Sequence, residues 1–178
     1  LKGIPGASLH GLMTANRSIG AKECHQVMMM ETLADSKPLY LTMNTSTLYV
    51  IPTLDLKRDG PTVLEMPAGL LGVIHDAWFR YQEDVGPAGP DKGKGGKFLV
   101  LPPGYEGDIP EGYFVVRSRS YDVWVLLRTS IAKGVDLAVK RVKDNLRVYP
   151  LAMKDAPPTT EFINGSKKSF NSIHPNDF

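Results

Sequence analysis

The sequence predicts a mostly β fold of the sandwich or barrel type, flanked by α-helices. Short runs of β-forming residues recur through the middle third, and glycine and proline residues separate them. A single strong amphipathic pattern follows these runs. The predicted strands lie within residues 48–51, 53–56, 62–66, 71–81, 97–101, 113–117 and 123–128.

The most informative stretch is residues 39–67, which predicts two strands joined by a polar turn. Residues 57–61 read Lys-Arg-Asp-Gly-Pro, and Gly60 followed by Pro61 breaks any regular element there. Pro52 interrupts the first strand because it has no backbone N–H to donate to a neighbour. We therefore expect this strand to lie at a sheet edge or to split at a bulge.

Residues 134–148 carry the best helical pattern in the chain. Val135, Val139, Val142 and Leu146 recur at intervals of four, three and four, which places them on one face of a helix. Arg147 falls in the predicted last turn, where it suits the helix dipole. Residues 7–19 and 21–33 have weaker helical spacing, so we expect an irregular to helical N-terminal segment.

Composition limits the class of protein. The 178 residues carry a net charge of +2 with dispersed charges, and nucleic-acid binding would need a basic patch. A single cysteine, Cys24, excludes an intrachain disulfide. No apolar run has the length of a membrane span. The chain begins at Leu1, which is compatible with removal of an upstream segment, and periplasmic, secreted and cytoplasmic locations all stay open.

The sequence divides into three predicted segments. Residues 1–38 form the irregular or helical segment, and residues 39–150 form the β domain with its C-terminal helix. Residues 151–178 form a linker and the start of a truncated second domain, because Pro157-Pro158 cannot continue a helix or a central strand.

Four polar residues are the candidate binding site. His75 and Asp76 are neighbours on a strand, so their side chains point to opposite faces and cannot form a catalytic pair with each other. Arg117 and Arg119 share a face, and two guanidinium groups suit a carboxylate or phosphate. The alternative is that these arginines pair with structural carboxylates, for which the candidates are Asp76, Asp122 and Glu65.

Other motifs carry weaker signals. The glycine-rich residues 86–97 do not match the spacing of a phosphate-binding loop, so we expect a mobile, basic, solvated loop with little hydrogen bonding. The alternative is a loop over a mouth that attracts anions. No residue pattern resembles a serine nucleophile elbow, and the four histidines are scattered, so no metal and no cofactor is predicted.

Several short segments, taken in order, resemble the bacterial domain-of-unknown-function 1254 family. They are Asp35-Ser36 through Thr47-Leu48-Tyr49, Gly60-Pro61 with Glu65-Met66-Pro67, Asp76-Ala77-Trp78, Gly89-Pro90-Asp91, Lys97-Phe98-Leu99-Val100 and Arg117-Ser118-Arg119. The resemblance implies an immunoglobulin-like, antiparallel β-sandwich with flanking helices. It carries over no catalytic residue, and Ser46 stands where typical members have an aspartate. The tail, residues 162–178, resembles the connector to a domain-of-unknown-function 1214 partner.

The function predicted from these observations is a ligand-binding or assembly module of a two-domain bacterial protein. The alternative is a hydrolase whose site lies at the interface with the second domain. The predicted partners are an anionic small molecule, a C-terminal partner domain and a second copy of the chain, with no nucleic acid and no membrane span. The apolar tail residues need a surface to pack on, so we expect the tail either to lie on the sandwich or to bridge to a second copy; these residues are Phe162, Phe170, Ile173 and Phe178.

Overall fold

The computed structural model describes residues 2–35 and 43–168. The fold is mostly β, as predicted, with 35% of the described residues in strands and 21% in helices. The helices are α1 (Ile4–Ser18), α2 (Leu56–Asp59) and α3 (Val135–Asn145), with a 3-10 helix at Leu151–Met153. The strands are β1 (Gln26–Met29), β2 (Thr47–Ile51), β3 (Thr53–Asp55), β4 (Thr62–Met66), β5 (Leu70–Asp76), β6 (Tyr81–Val85), β7 (Gly96–Leu101), β8 (Phe114–Arg117), β9 (Asp122–Ser130), β10 (Arg147–Pro150) and β11 (Glu161–Asn164).

The strands form two mixed sheets. The first has the order β11-β1-β2-β9-β5-β6, with β3 also paired to β9, and the second has the order β10-β4-β7-β8. The pairs β1–β11 and β7–β8 run parallel, and the other neighbours run antiparallel. The sheets are therefore not purely antiparallel, and neither closes into a barrel in the described part of the chain.

The main core contains residues from both sheets and from α3. Ile74 and Val125 come from the first sheet, Leu64 and Phe98 from the second, and Val142 from the helix, and all five are fully buried. Burial of each such side chain contributes roughly 1.5–3 kcal/mol relative to exposure. This cluster joins the two sheets and α3 into one packed unit.

Pro52 splits the first predicted strand, which is the second of the two outcomes expected from the sequence. β2 ends at Ile51 and β3 begins at Thr53, and the Pro52 carbonyl accepts a hydrogen bond from the Val125 N–H at 3.1 Å. The Asp55 side chain then accepts from the backbone N–H groups that open α2. The strands on either side of the polar turn consequently lie in different sheets.

Helix α3 confirms the predicted helix but is shorter than residues 134–148. It ends at Asn145, because Arg147–Pro150 pairs with β4 as strand β10. Val142 and Leu146 are buried, and Val135 and Val139 pack partly buried against the same core. The Arg147 guanidinium still donates to three carbonyls at the C-terminal end of the helix.

The N-terminal segment is helical only in its first half. Helix α1 confirms the pattern at residues 7–19, but the helix expected over residues 21–33 is wrong, because strand β1 occupies Gln26–Met29. Val27 and Met29 face the main core, whereas Met28 faces a second apolar cluster beneath α1. A strand buried on both faces reads as a continuous apolar run, which periodicity does not distinguish from a buried helix.

The described part of the tail continues the first sheet. Strand β11 runs parallel to β1, with Phe162 against the main core and Ile163 against the cluster beneath α1. The first sheet thus takes strands from all three of the predicted segments. Phe170, Ile173 and Phe178 lie outside the described residues.

Candidate functional site at the turn between β5 and β6

Asp76, the last residue of β5, is fully buried and organises the turn that follows it. Its Oδ1 accepts hydrogen bonds from the backbone N–H groups of Trp78 at 2.9 Å and Arg80 at 3.0 Å. Its Oδ2 accepts from Arg80 Nε at 2.7 Å and lies 3.4 Å from Arg119 Nε. Both carboxylate oxygens are therefore occupied by groups of the protein itself.

The Asp76 carboxylate is held in its ionised form. Burial alone would raise its pKa, but the hydrogen bonds from the Trp78 and Arg80 backbone and the Arg80 guanidinium outweigh it, and the pKa lies below the usual range. An ionised carboxylate with four donors cannot serve as a general acid at neutral pH. Its base strength is also reduced, so the geometry favours a structural role.

His75 lies on the other face of β5, as predicted. Its Nδ1 is 3.1 Å from the carbonyl oxygen of Phe79, whose φ of 57° reflects the tightness of the turn. The imidazole ring packs near the rings of Phe79 and Trp124, with centroids 5.7 and 6.1 Å away. His75 thus belongs to the apolar layer beneath α1.

The two predicted arginines have different surroundings. Arg119 pairs with Asp76, the first of the three carboxylates considered for it, and its Nη2 donates to the Tyr81 carbonyl at 2.8 Å. Arg117 is exposed at the end of β8, and within residues 2–35 and 43–168 no hydrogen bond or ion pair joins it to the other three candidates. The structure brings together Asp76 and Arg119, and leaves His75 and Arg117 apart from them.

Arg80 is the group that sequence reasoning missed. It lies four residues after Asp76, and its guanidinium makes the closer of the two contacts to the carboxylate. The available signal was an aspartate placed directly before a tight turn, where it caps backbone N–H groups and can meet the residue that follows the turn.

Two serines support the turn from the neighbouring segment. Ser120 Oγ accepts from the Ala77 N–H at 2.9 Å and donates to the Asp122 carbonyl at 2.7 Å. Ser118 is buried, and its hydroxyl donates to the Ser120 carbonyl at 2.6 Å. These hydroxyls hold backbone in place, and within the described residues no hydrogen bond joins the Ser118 hydroxyl to a histidine or a carboxylate.

The outer side of the turn is aromatic and basic. Trp78 and Tyr81 are 49% and 54% exposed, and the Arg80 and Arg119 side chains are about half exposed. One part of the Trp78 ring lies against Gly6 of α1, where an added Cβ would be 3.1 Å from a ring carbon. We call Trp78, Arg80, Tyr81 and Arg119 the Trp78 surface.

A second charged network lies on the other sheet, between β4, β7 and β10. Glu65 Oε1 accepts from the Tyr149 hydroxyl at 2.5 Å and from Lys97 Nζ at 2.8 Å. Burial opposes ionisation of Glu65, but these two bonds hold its pKa below the usual range. Burial and the Glu65 carboxylate together raise the pKa of Tyr149, so the phenol stays protonated at neutral pH.

The loop between β6 and β7 differs from its prediction. Asp91 is buried, and its two carboxylate oxygens accept from the N–H groups of Gly86 at 2.7 Å and Gly95 at 3.2 Å. Backbone hydrogen bonds from Gly89, Lys92 and Lys94 close further turns inside the loop. The expectation of a loop with little hydrogen bonding is therefore wrong, because one buried carboxylate accepts hydrogen bonds from backbone N–H groups in place of a neighbouring strand.

Metal ligands and membrane-spanning helices also bear on function. Among the described residues, no group of three or more His, Cys, Asp and Glu side chains could hold a metal ion. In the same part of the chain, none of the helices is long and apolar enough to cross a membrane.

The fold and the turn between β5 and β6 define a mostly β protein. Its clustered charged groups, at Asp76 and at Glu65, are bound by the protein's own backbone and side chains. The chain belongs to the family described as "Protein of unknown function (DUF1254)", whose model matches residues 24–150. No curated protein matches it. Among solved structures it is similar to the VPA0106 protein from Vibrio parahaemolyticus, with a TM-score of 0.62 and 14% sequence identity. That match covers 93% of this chain and 40% of the other, and it concerns the fold alone.

Proposed function

We propose that this chain is a non-enzymatic assembly module, and that its Trp78 surface docks a folded partner domain. The observation that carries the proposal is the buried Asp76 carboxylate, which fixes two guanidinium groups beside two half-exposed aromatic rings. Tryptophan, tyrosine and arginine are the residues that most often dominate the binding energy of protein interfaces.

The Trp78 surface is organised before any partner arrives. The Arg80 and Arg119 guanidinium groups are held by Asp76, and the Tyr81 carbonyl holds Arg119 a second time. Side chains that are already ordered lose less conformational entropy on association. The two arginines outnumber the Asp76 carboxylate that they contact, while Glu83 and Asp84 lie beside the Tyr81 hydroxyl, so the partner surface presents carboxylates to the arginine side of the surface.

A folded domain is the occupant that the comparisons support best. The structural neighbour VPA0106 carries a similar fold within a chain more than twice as long, because the match covers 40% of it. The tail from residue 162 resembles a connector to a domain-of-unknown-function 1214 partner. We therefore propose a two-domain bacterial protein, in which residues 39–150 form an immunoglobulin-like sandwich together with β1 and β11, and the residues after β11 lead to the partner.

The hydrolase alternative lacks an observation in its favour. Asp76 is occupied by four donors, and the Ser118 hydroxyl is committed to a backbone carbonyl. The nearest histidine in sequence, His75, faces the opposite side of its strand. A nucleophile, a base and an orienting group within mutual reach would be needed for that reaction.

The test is binding in trans between this chain and a purified domain-of-unknown-function 1214 domain, measured by isothermal titration calorimetry. We expect Trp78→Ala to weaken binding by about tenfold or more, which corresponds to ~1.4 kcal/mol. Leu137→Ala is the matched control, because Leu137 is an exposed apolar residue on α3. Its binding should equal that of the parent.

Three results would overturn the proposal. They are absence of binding in trans, equal losses in the Trp78 and Leu137 variants, and self-association of the chain that depends on Trp78. The last would show a second copy as the occupant, and sedimentation equilibrium of the chain alone detects it.

A further inference from the structure

A basic depression lies away from the Trp78 surface, where the end of β4 and the start of β7 meet α3. Its volume is about 490 Å³, within the range of small-molecule sites. The residues that matter for its chemistry are Glu65, Pro67, Ala68, Lys94, Lys97 and Arg141. They come from β4, the turn after it, the loop before β7, β7 itself and the helix.

The charges around this depression are unbalanced. Lys94, Lys97 and Arg141 are cationic, and Glu65 is the single carboxylate in the lining. Glu65 already accepts from Lys97 and from the Tyr149 hydroxyl. Of the residues that the structure describes, none places a carboxylate within ion-pair distance of Lys94 or Arg141.

Arg141 is held in place without a counter-ion. One of its terminal nitrogens donates to the hydroxyl of Thr129, a fully buried residue of β9. Its Nε is shielded from solvent and has no hydrogen-bond partner among residues 2–35 and 43–168. Gly69, with φ of 80°, lets the guanidinium approach the turn, because an added Cβ would lie 3.2 Å from Nη1. Partly buried charges are normally paired, so this guanidinium lacks an anion that the site is built to meet.

We propose that the depression binds a small molecule with an oxyanion head, a carboxylate or a phosphate, on a compact apolar body. Arg141 and Lys94 receive the head, because a guanidinium fork and a lysine ammonium are suited to such oxygens. Pro67 and Ala68 provide the apolar wall for the body. Glu65 neutralises Lys97, so the site attracts one negative head and does not act as a general polyanion surface.

The ordered loop supplies the position of Lys94. The Lys94 N–H donates to the Asp91 carbonyl at 2.9 Å, and the Asp91 carboxylate fixes the following Gly95. Gly95 has φ of 76° and packs directly against the backbone of Met66, where any Cβ would collide. Lys94 is therefore presented from a fixed turn at the rim, and none of the described lining residues belongs to the Trp78 surface.

The test titrates three probes that share a phenyl body into the full chain. Benzoate carries a carboxylate, phenyl phosphate carries a phosphate, and benzyl alcohol carries no charge. Calorimetry should detect binding of benzoate, of phenyl phosphate or of both, and it should detect no binding of benzyl alcohol. Arg141→Gln and Lys94→Gln should each weaken the bound probe by about tenfold.

Lys92→Gln is the matched control, because Lys92 is an exposed lysine of the same loop that does not line the depression. Its affinity should stay within about twofold of the parent. The exposed Lys94 variant keeps the test valid even if Arg141→Gln impairs folding. The proposal is overturned if neither anion binds, if benzyl alcohol binds equally, or if the Lys92 and Lys94 variants lose affinity to the same extent.

Discussion

Strand β6 lies between two turns that are each organised by a buried aspartate, and the two turns use their aspartates differently. Asp76, before the strand, accepts hydrogen bonds from the Arg80 guanidinium and two backbone N–H groups, and it forms an ion pair with Arg119. Asp91, after the strand, accepts from backbone N–H groups only, those of Gly86 and Gly95. In the first turn the aspartate therefore neutralises the charge of nearby arginines. In the second turn, among the described residues, no carboxylate forms an ion pair with Lys92 or Lys94.

This difference indicates where an anion is expected to bind. Arginines that cluster near an aspartate are fixed in place and suit docking of a protein surface. Cations that surround a depression without carboxylates of their own are suited to a ligand. The missing counter-ion beside Arg141 is a more specific indication than the pairing of arginines in the sequence.

The largest expected effect is that of Asp76→Asn, which removes the charge beneath two guanidinium groups. Breaking a buried ion pair by removing one partner costs ~3–5 kcal/mol. Urea unfolding should show this loss, and Asp108→Asn, in an exposed loop, should change the free energy of unfolding by less than about 0.5 kcal/mol. An Asp76 variant as stable as the parent would mean that the turn does not depend on its carboxylate.

Asp91→Ala comes next, because it leaves the N–H groups of Gly86 and Gly95 without acceptors. Each buried donor left unsatisfied costs roughly 1–3 kcal/mol. We expect a loss in this range by urea unfolding, together with weaker benzoate binding as Lys94 loses its fixed position. A stable Asp91 variant with unchanged binding would show that the loop is held by other contacts.

Acid should weaken both charged networks. The pKa values of Asp76 and Glu65 are lower in the folded chain than in the unfolded one, so the folded state binds fewer protons. Their stabilisation is present above the unfolded values of about 4 and is lost as the pH falls through the folded values. Between pH 7 and pH 3 the free energy of unfolding should decrease in both proteins. The decrease should be smaller for Asp76→Asn than for the parent. Parallel losses in the two proteins would contradict the assignment.

The smallest effect separates the two arginines that the sequence grouped together. Arg119→Gln removes a half-exposed ion pair with Asp76 and should cost ~0.2–1 kcal/mol. Arg117→Gln removes an exposed side chain and should be neutral within about 0.5 kcal/mol. Chemical denaturation of both variants in parallel checks this, and a larger loss for Arg117 would reverse their roles.

Much of the strand content could be predicted from the sequence, because its apolar runs are bounded by glycine and proline. Strand β6 was missed because it carries Glu83 and Asp84 at a sheet edge, where charged residues are tolerated. Strand β10 was hidden by the helical spacing that continues through Leu146. Strand β1 resembles a helical segment in the sequence because it is buried on both faces.

The candidate site was predictable only where it follows local rules. The alternation rule separated His75 from Asp76, and a carboxylate partner for Arg119 was among the alternatives. Arg80 depends on the geometry of a tight turn, which periodicity does not encode. Lys94 lies in a loop and Arg141 on a distant helix, and both line the same depression only in the folded chain, so no local pattern in the sequence predicts it.

The most direct test of this account follows the Nε–H signals of the arginines by nuclear magnetic resonance during a benzoate titration. We expect the Arg141 signal to shift in a saturable manner, because its guanidinium lines the depression. The signals of Arg80 and Arg119, whose Nε atoms face Asp76, should stay in place. Shifts at Arg80 or Arg119 with none at Arg141 would contradict it.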